Sequence, residues 1–317
     1  MTLSQRKIIK TAIIITISVT GILFIVQGFI GVTSTRKDTS GYTYNMNSQP
    51  YRLPDSISFA SEKMPLENID TRESLEREII ITAYRHSSTI MIIKRAPRYF
   101  PVIEKILKEY NIPDDFKYLA VAESDLSNQV SPAGATGFWQ IMAETGKEEG
   151  MEINTEVDER YNIERSTRFA CEYFLKSYAK YGNWTLAAAS YNGGRKGIDD
   201  QIEIQHENNY YDILLTEETA RYIFRVVAYK LIISDPIAYG FDIGKKDLYP
   251  EMRYTEVKVD TAVSDFSNFA KKFGSNYKIL KLLNPWLRKP YITNKTGKVY
   301  LIKIPAEGFR MGDQTDF

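Results

Sequence analysis

The 317-residue chain is short of several residue types that often carry chemistry. It has one cysteine and two histidines, and its 41 basic residues are balanced by 40 acidic ones, for a net charge of +1. A single cysteine excludes an intrachain disulfide. Cys171 stands near Phe174, Leu175 and Tyr178 in a helical pattern and reads as a small buried hydrophobe. His86 and His206 are too few and too isolated for a zinc site, so neither a metal nor a cofactor is expected. The balanced charge offers no basic field for nucleic acid. Long hydrophobic runs are absent too, with one exception.

That exception is at the N-terminus. Arg6, Lys7 and Lys10 precede an uncharged run from Thr11 to Ile30. A helix of that length spans about 30 Å, one hydrocarbon core. The basic flank favours an N-terminus kept inside and a remainder exported. Residues 1–10 are therefore expected to be a cytoplasmic leader, and residues 11–32 a transmembrane signal anchor in an inner membrane with the rest periplasmic. Val32-Thr33-Ser34 is a passable cleavage site and leaves a removed signal peptide open. Residues 33–70, rich in Ser, Thr, Asn and Pro, read as a flexible linker.

After residue 70 the pattern is helical. Leu75, Ile79, Ile80 and Ala83 recur at helical spacing, as do Val102, Ile106 and Leu107 after Pro101. Pro113-Asp114-Asp115 marks another helix start, and Phe116, Leu119, Ala120 and Glu123 fall on one stripe of it. A carboxyl on an apolar stripe faces protein. Burial disfavours its charged form and raises its pKa, which makes a general acid. A Glu paired with an Arg is the ordinary alternative. Asp125, two residues on, points to another face and is not expected to be its partner.

Three further blocks follow. Ser131-Pro132-Ala133-Gly134-Ala135-Thr136-Gly137-Phe138-Trp139-Gln140-Ile141-Met142 reads as a small-residue loop leading into a helix that opens at Phe138-Trp139. Trp139 beside a cleft would offer a flat face to a sugar and Gln140 an amide; a core aromatic is the other reading of Trp139. Thr185 to Tyr191 reads as a helix whose end, Asn192 or Gly193, takes the left-handed cap conformation. Here the Tyr191 hydroxyl is expected near the Glu123 carboxyl or a substrate. Residues 217–234 carry the stripe Ala220, Ile223, Phe224, Val227 and Leu231, with Tyr222 off it and free to face a cleft. Arg221 and Arg225 read as solvated surface.

Taken in order, Glu123-Ser124, the Ser131–Met142 block, Ala189-Ser190-Tyr191-Asn192-Gly193-Gly194 and Glu218-Thr219-x-x-Tyr222 resemble the soluble-lytic-transglycosylase (SLT) catalytic domain over residues 114–235, in its membrane-bound transglycosylase D-like branch. The resemblance implies a mainly α fold with a lysozyme-like helical catalytic domain over residues 71–240. It implies cleavage of the β-1,4 bond between N-acetylmuramic acid and N-acetylglucosamine in peptidoglycan strands, leaving 1,6-anhydromuramoyl ends. Glu123 matches the catalytic acid/base, Ser124, Ser131, Gln140 and Met142 match positions lining the cleft, and Tyr191, Asn192 and Tyr222 match the polar groups beside the acid. Phe138-Trp139 and Ser190 depart mildly from the family pattern. A hydrolytic muramidase on the same scaffold and a non-catalytic wall-binding scaffold are the alternatives.

Beyond Pro236 and Gly240 the periodicity changes. Val257 and Val259 alternate as in a strand, Phe266, Phe269, Ala270 and Phe273 recur as a helix, Tyr277, Leu280 and Leu283 as another, and Val299, Leu301 and Ile302 close with a strand. This β-α-α-β order over residues 241–317 resembles a degenerate LysM module, a small α+β domain. The resemblance implies binding of N-acetylglucosamine chains; a structural cap on the catalytic domain is the other reading.

Overall fold

The computed structural model describes residues 51–310. The expected leader and anchor, and the linker up to residue 50, lie outside the described residues. Among the described residues no helix is long and apolar enough to cross a membrane.

The chain from residue 51 is not the tether that its composition suggests. Strands β1 (Ser58–Phe59) and β2 (Glu62–Lys63) form a short antiparallel hairpin. Phe59, Met64 and Leu66 are buried in the main core. Asp115 locks the hairpin down, accepting from the Ala60 amide at 2.7 Å and from Lys230 Nζ at 2.8 Å. Scattered apolar residues in a polar segment are thus enough to dock it, because each fills a site on a helical surface already formed.

Helices α1 (Ile69–Tyr84) and α2 (His86–Glu109) follow. Leu75, Ile79 and Ala83 are buried as their spacing predicts, while Ile80 is exposed. The helix expected after Pro101 starts much earlier, and α2 runs through both Pro97 and Pro101. Each proline removes a backbone donor. The buried row Ile92, Ile93, Ala96, Phe100, Ile103, Ile106 and Leu107 holds the helix together across them. A 3-10 turn, Asp114–Phe116, leads into α3 (Lys117–Ser124).

Four more helices follow in the helical half: α4 (Ala143–Glu148), α5 (Ile163–Tyr181), α6 (Trp184–Gly193) and α7 (Arg195–Gln205). Helix α8 (Glu217–Ser234) then passes through the middle, packing on α1, α3 and α6. Its Tyr222, Ile223, Val226, Val227, Ala228 and Tyr229 are buried. The C-terminal module has the predicted order: β3 (Tyr254–Val259), α9 (Phe266–Lys272), α10 (Tyr277–Leu283) and β4 (Tyr300–Pro305). Its strands pair antiparallel, with Val257 opposite Ile302. The module has its own apolar cluster, built on Phe266, Leu280, Trp286, Leu287 and Ile302. One residue of the preceding half, Val157, belongs to that cluster.

The N-terminus of α6 shows how the hairpin contributes. The Glu62 carboxylate accepts from the amides of Trp184 and Thr185 at 2.6 and 2.8 Å and from Thr185 Oγ1 at 2.6 Å. An anion there satisfies orphan amides and complements the helix dipole. Replacing Glu62 with Ala is expected to cost about 2 kcal/mol. The thermal midpoint should fall by about 5 °C, read by circular dichroism.

Candidate active site

Glu123 sits in the last turn of α3, with Val121, Ala120 and Leu119 buried beside it. Its own side chain is half-buried. Tyr222, on α8, is fully buried, and its hydroxyl donates to Glu123 Oε1 at 2.6 Å. Tyr222 therefore reaches the acid from beneath and does not face open solvent. Burial raises the Glu123 pKa to about 7; the Tyr222 hydrogen bond and the positive charge of Arg225 pull it back, and the exposed Glu218 pushes it up. The carboxyl is thus poised between its two protonation states near neutral pH. No guanidinium hydrogen-bonds it, so the ordinary reading of an Arg-paired structural Glu does not describe Glu123 among the described residues.

Asp125 does take that structural role. It ends α3 in the left-handed conformation, φ +51°. Its carboxylate pairs with Arg85 at 3.3 Å and accepts from the Tyr229 hydroxyl at 3.5 Å. Asp125 is thus engaged with Arg85 and Tyr229, partners other than those of Glu123.

The Ser131–Met142 block is a tight double turn, and no helix opens at Phe138-Trp139; α4 begins at Ala143. Thr136 bridges both Val130 and Ile141. The reason is the backbone: Gly134, Gly137 and Gln140 all have positive φ, which breaks helical progression. Gly137 has no alternative, because a Cβ there would lie 2.1 Å from the Arg160 carbonyl oxygen. Gln140 adopts φ +46° without being glycine, a strained conformation held by its own amide, which donates to the carbonyls of Gly137 and Gln129 at 2.9 and 3.2 Å. Trp139 is a core residue, 0% exposed, with its indole N–H donating to Thr167 Oγ1 at 2.9 Å, so it offers no face to a ligand.

Other expected site residues divide into structural and open groups. Ser124 is buried and donates to the carbonyls of Ala120 and Phe138 at 3.1 and 2.9 Å, tying the turn to α3; it does not line a cleft. Ser131 caps the turn by accepting from the Ala135 amide at 3.0 Å. The Tyr191 hydroxyl donates to the Trp139 carbonyl at 2.7 Å, so it is committed to the turn and does not hydrogen-bond Glu123. It lies close enough for the Glu123 charge, after burial, to raise its pKa well above the ordinary tyrosine value. Asn192 accepts from Thr219 Oγ1 at 3.0 Å, joining α6 to α8. Neither Asn192 nor Gly193 ends α6 in the left-handed cap conformation; the helix is followed by Gly194, at positive φ (+71°) but with an extended ψ of 144°. Met142 is 44% exposed and free to touch a ligand. Gln140, Asn192 and Glu123 are half-buried and reach solvent.

Sequence reading missed Glu78. It is buried on α1, with Arg221 Nε at 2.7 Å and Arg225 Nε at 3.8 Å. Arg221 and Arg225 are therefore not plain solvated surface. Glu78 holds them on α8, where Arg225 acts on Glu123. The signal was available: Glu78 falls between Leu75 and Ile79 on the apolar stripe, the same placement that singled out Glu123. Open pockets lie elsewhere among the described residues, one of about 440 Å³ bounded by Ile93, Phe100 and Ile233 and another of about 300 Å³ bounded by Glu62, Asn183 and Tyr211. Glu123 lines neither.

Residues 100–214 match the Transglycosylase SLT domain family, and residues 255–308 match the Soluble lytic transglycosylase C-terminal LysM-like domain. Two curated proteins named membrane-bound lytic murein transglycosylase D, from Escherichia coli K12 and Escherichia coli O6:H1, are each 26% identical to this chain over 187 residues. That match covers 57% of this chain and 40% of each relative, so the chain is matched over less than half of their length. The SLT match takes in Glu123, the double turn and Tyr191-Asn192, and the LysM-like match takes in the β-α-α-β module. Over these two stretches the chain is similar to a transglycosylase SLT domain followed by a soluble-lytic-transglycosylase C-terminal LysM-like domain.

Proposed function

We propose that this protein is a peptidoglycan lytic transglycosylase of the cell envelope that uses Glu123 as its single acid and base. The reading rests on one observation above others: a half-buried carboxyl held near pKa 7 by burial and bonded to one tyrosine hydroxyl. An acid that is protonated in part near neutrality can donate to a glycosidic oxygen. The SLT domain and the murein-transglycosylase relatives support peptidoglycan as the substrate.

In the proposed reaction the protonated Glu123 gives its proton to the oxygen leaving C1 of the N-acetylmuramoyl residue. The C1–O bond breaks, with the substrate's own N-acetyl oxygen assisting. The C6 hydroxyl of the same sugar then forms a bond to C1, and its proton returns to the Glu123 carboxylate. No water is consumed, and the acid is regenerated. Most glycosidases need a second carboxylate for this work. Here Asp125 is tied to Arg85, and Glu218 is exposed and hydrogen-bonds to nothing that would aim it at a sugar. Gln140, Met142 and Asn192 are proposed to contact the glycan, and Ser131 to shape the turn it meets. The chain from residue 51 to the expected anchor at 11–32 is proposed to keep the enzyme near the membrane.

Glu123→Gln is expected to lower muropeptide release from purified sacculi by about 10²–10⁴-fold. Release at the wild-type rate would remove the catalytic assignment. Mass spectrometry should find product ends lacking one water relative to hydrolysed ends; hydrated reducing ends would point to a muramidase.

The pH dependence follows from the raised pKa. Activity should fall as pH rises through about 7, where the acid loses its proton. Tyr222→Phe removes a hydrogen bond that favours the carboxylate, so the fall should move to higher pH. Stability has the same sign. A carboxyl with a folded pKa above its unfolded value binds more protons when folded, so the fold loses stability as pH rises from about 4.5 to about 7. Glu123→Gln is neutral throughout, and its thermal midpoint should exceed the wild type's by more at pH 8 than at pH 5.

A further inference from the structure

The segment between α4 and α5, residues 152–161, lies against both the C-terminal module and the double turn beside Glu123. On its module side, Val157 is buried in the module's apolar cluster and bridges Leu287. The Asp158 amide donates to the Trp286 carbonyl at 2.9 Å, and the Arg288 amide donates to the Glu156 carbonyl at 2.7 Å. Arg288 stacks over the Tyr161 ring at 4.0 Å. Lys298 of the module pairs with Glu152 and Glu159 at 2.7 and 2.9 Å.

On its other side the same segment presents Arg160. Its guanidinium is gripped by the Asp158 carboxylate, Nε to Oδ1 at 3.0 Å and Nη2 to Oδ2 at 2.8 Å. The remaining nitrogen, Nη1, donates to the carbonyls of Gly134 and Ile141 at 3.1 and 3.2 Å, the two ends of the turn that carries Gln140. Arg160 and Asp158 are 9% and 7% exposed. The fit is close on the backbone as well, since the Arg160 carbonyl occupies the space a Cβ on Gly137 would need. The turn is in turn tied to the acid's helix by Ser124 and to Tyr191 by the Trp139 carbonyl. A planar donor fork can hold two carbonyls and a carboxylate at once; an ammonium cannot reproduce that geometry.

We propose that Arg160 is a positioning residue that fixes the Gly134–Ile141 turn at the glycan site, and that the LysM-like module braces it through residues 156–158. The module thereby acts on the catalytic half through the fold, whether or not it also holds wall polymer itself. The functional consequence rests on the proposed role of Glu123. The mechanical claim does not.

The test uses the full chain carrying Arg160→Lys and, separately, Val157→Ala, which touches the module's cluster and no polar group of the turn. Hydrogen exchange is followed at the amides of Thr136, Gly137 and Ile141, which bond within and beneath the turn. Both variants should exchange there faster, by about 10-fold or more, with α8 amides unchanged. On sacculi, Arg160→Lys should raise KM by about 10-fold with kcat reduced less. The pH at which its activity declines should not move, because Arg160 is not among the groups acting on Glu123. Wild-type exchange at the turn in both variants would overturn the brace. Faster exchange with an unchanged KM in an active enzyme would overturn the positioning role of Arg160 at the glycan site. If the wild type releases no muropeptides, the transglycosylase reading fails while the exchange data still decide the role of Arg160. If Arg160→Lys does not fold, Val157→Ala decides it.

Discussion

Desolvation of the Glu123 carboxyl is the constraint around which the catalytic half is arranged. An ionised carboxylate in that position loses hydration, and the Tyr222 hydroxyl at 2.6 Å returns only part of it. The balance leaves the group near its half-titration point at neutral pH. Holding that balance requires α3 and α8 to stay in fixed relation, since a small separation would admit water and break the hydrogen bond. The other cross-links serve this end. Asp125 ties the end of α3 to Arg85 and Tyr229, and Glu78 ties α1 to Arg221 and Arg225 on α8.

Two buried ion pairs stand out, Glu78 with its arginines and Asp158 with Arg160. Such pairs seldom add net stability, because desolvation offsets the attraction. Their value here lies in geometry. Each guanidinium fixes direction as well as charge: Arg160 spans the two ends of a turn, and Arg221 with Arg225 keeps positive charge on the helix that carries Tyr222. Apolar replacements would fill the space without directing either group.

The two halves of residues 51–310 share more than a linker. Val157 is in the module's core, Lys303 pairs with Glu164 at the start of α5, and Lys298 reaches Glu152 and Glu159. Residues 152–161 thus touch the module on one side and, through Arg160, the turn on the other. The module is packed into the helical half as well as on its own apolar cluster.

The sequence by itself determined the helical core and the carboxyl set into it. Phe116, Leu119, Ala120 and Glu123 repeat at helical spacing, and the β-α-α-β order of the module follows from periodicities that local geometry imposes. The limits of α8 were legible for the same reason, and its stripe in part: Ile223, Phe224 and Val227 are buried, but Ala220 and Leu231 are half-buried and Tyr222, expected off the stripe, is buried. Tertiary structure decided what periodicity does not encode. Trp139 and Ser124 face inward because a turn with three positive φ values replaces the expected helix, and those angles are satisfied only by packing on Arg160 and Tyr191. Residues 51–68 dock because a helical surface exists to receive Phe59 and Met64, which composition alone does not reveal. Arg221 and Arg225 found Glu78 far off in sequence, and Arg160, whose ion pair with Asp158 is local, found two distant carbonyls; such long-range partners are set by the assembled fold, not by spacing along the chain.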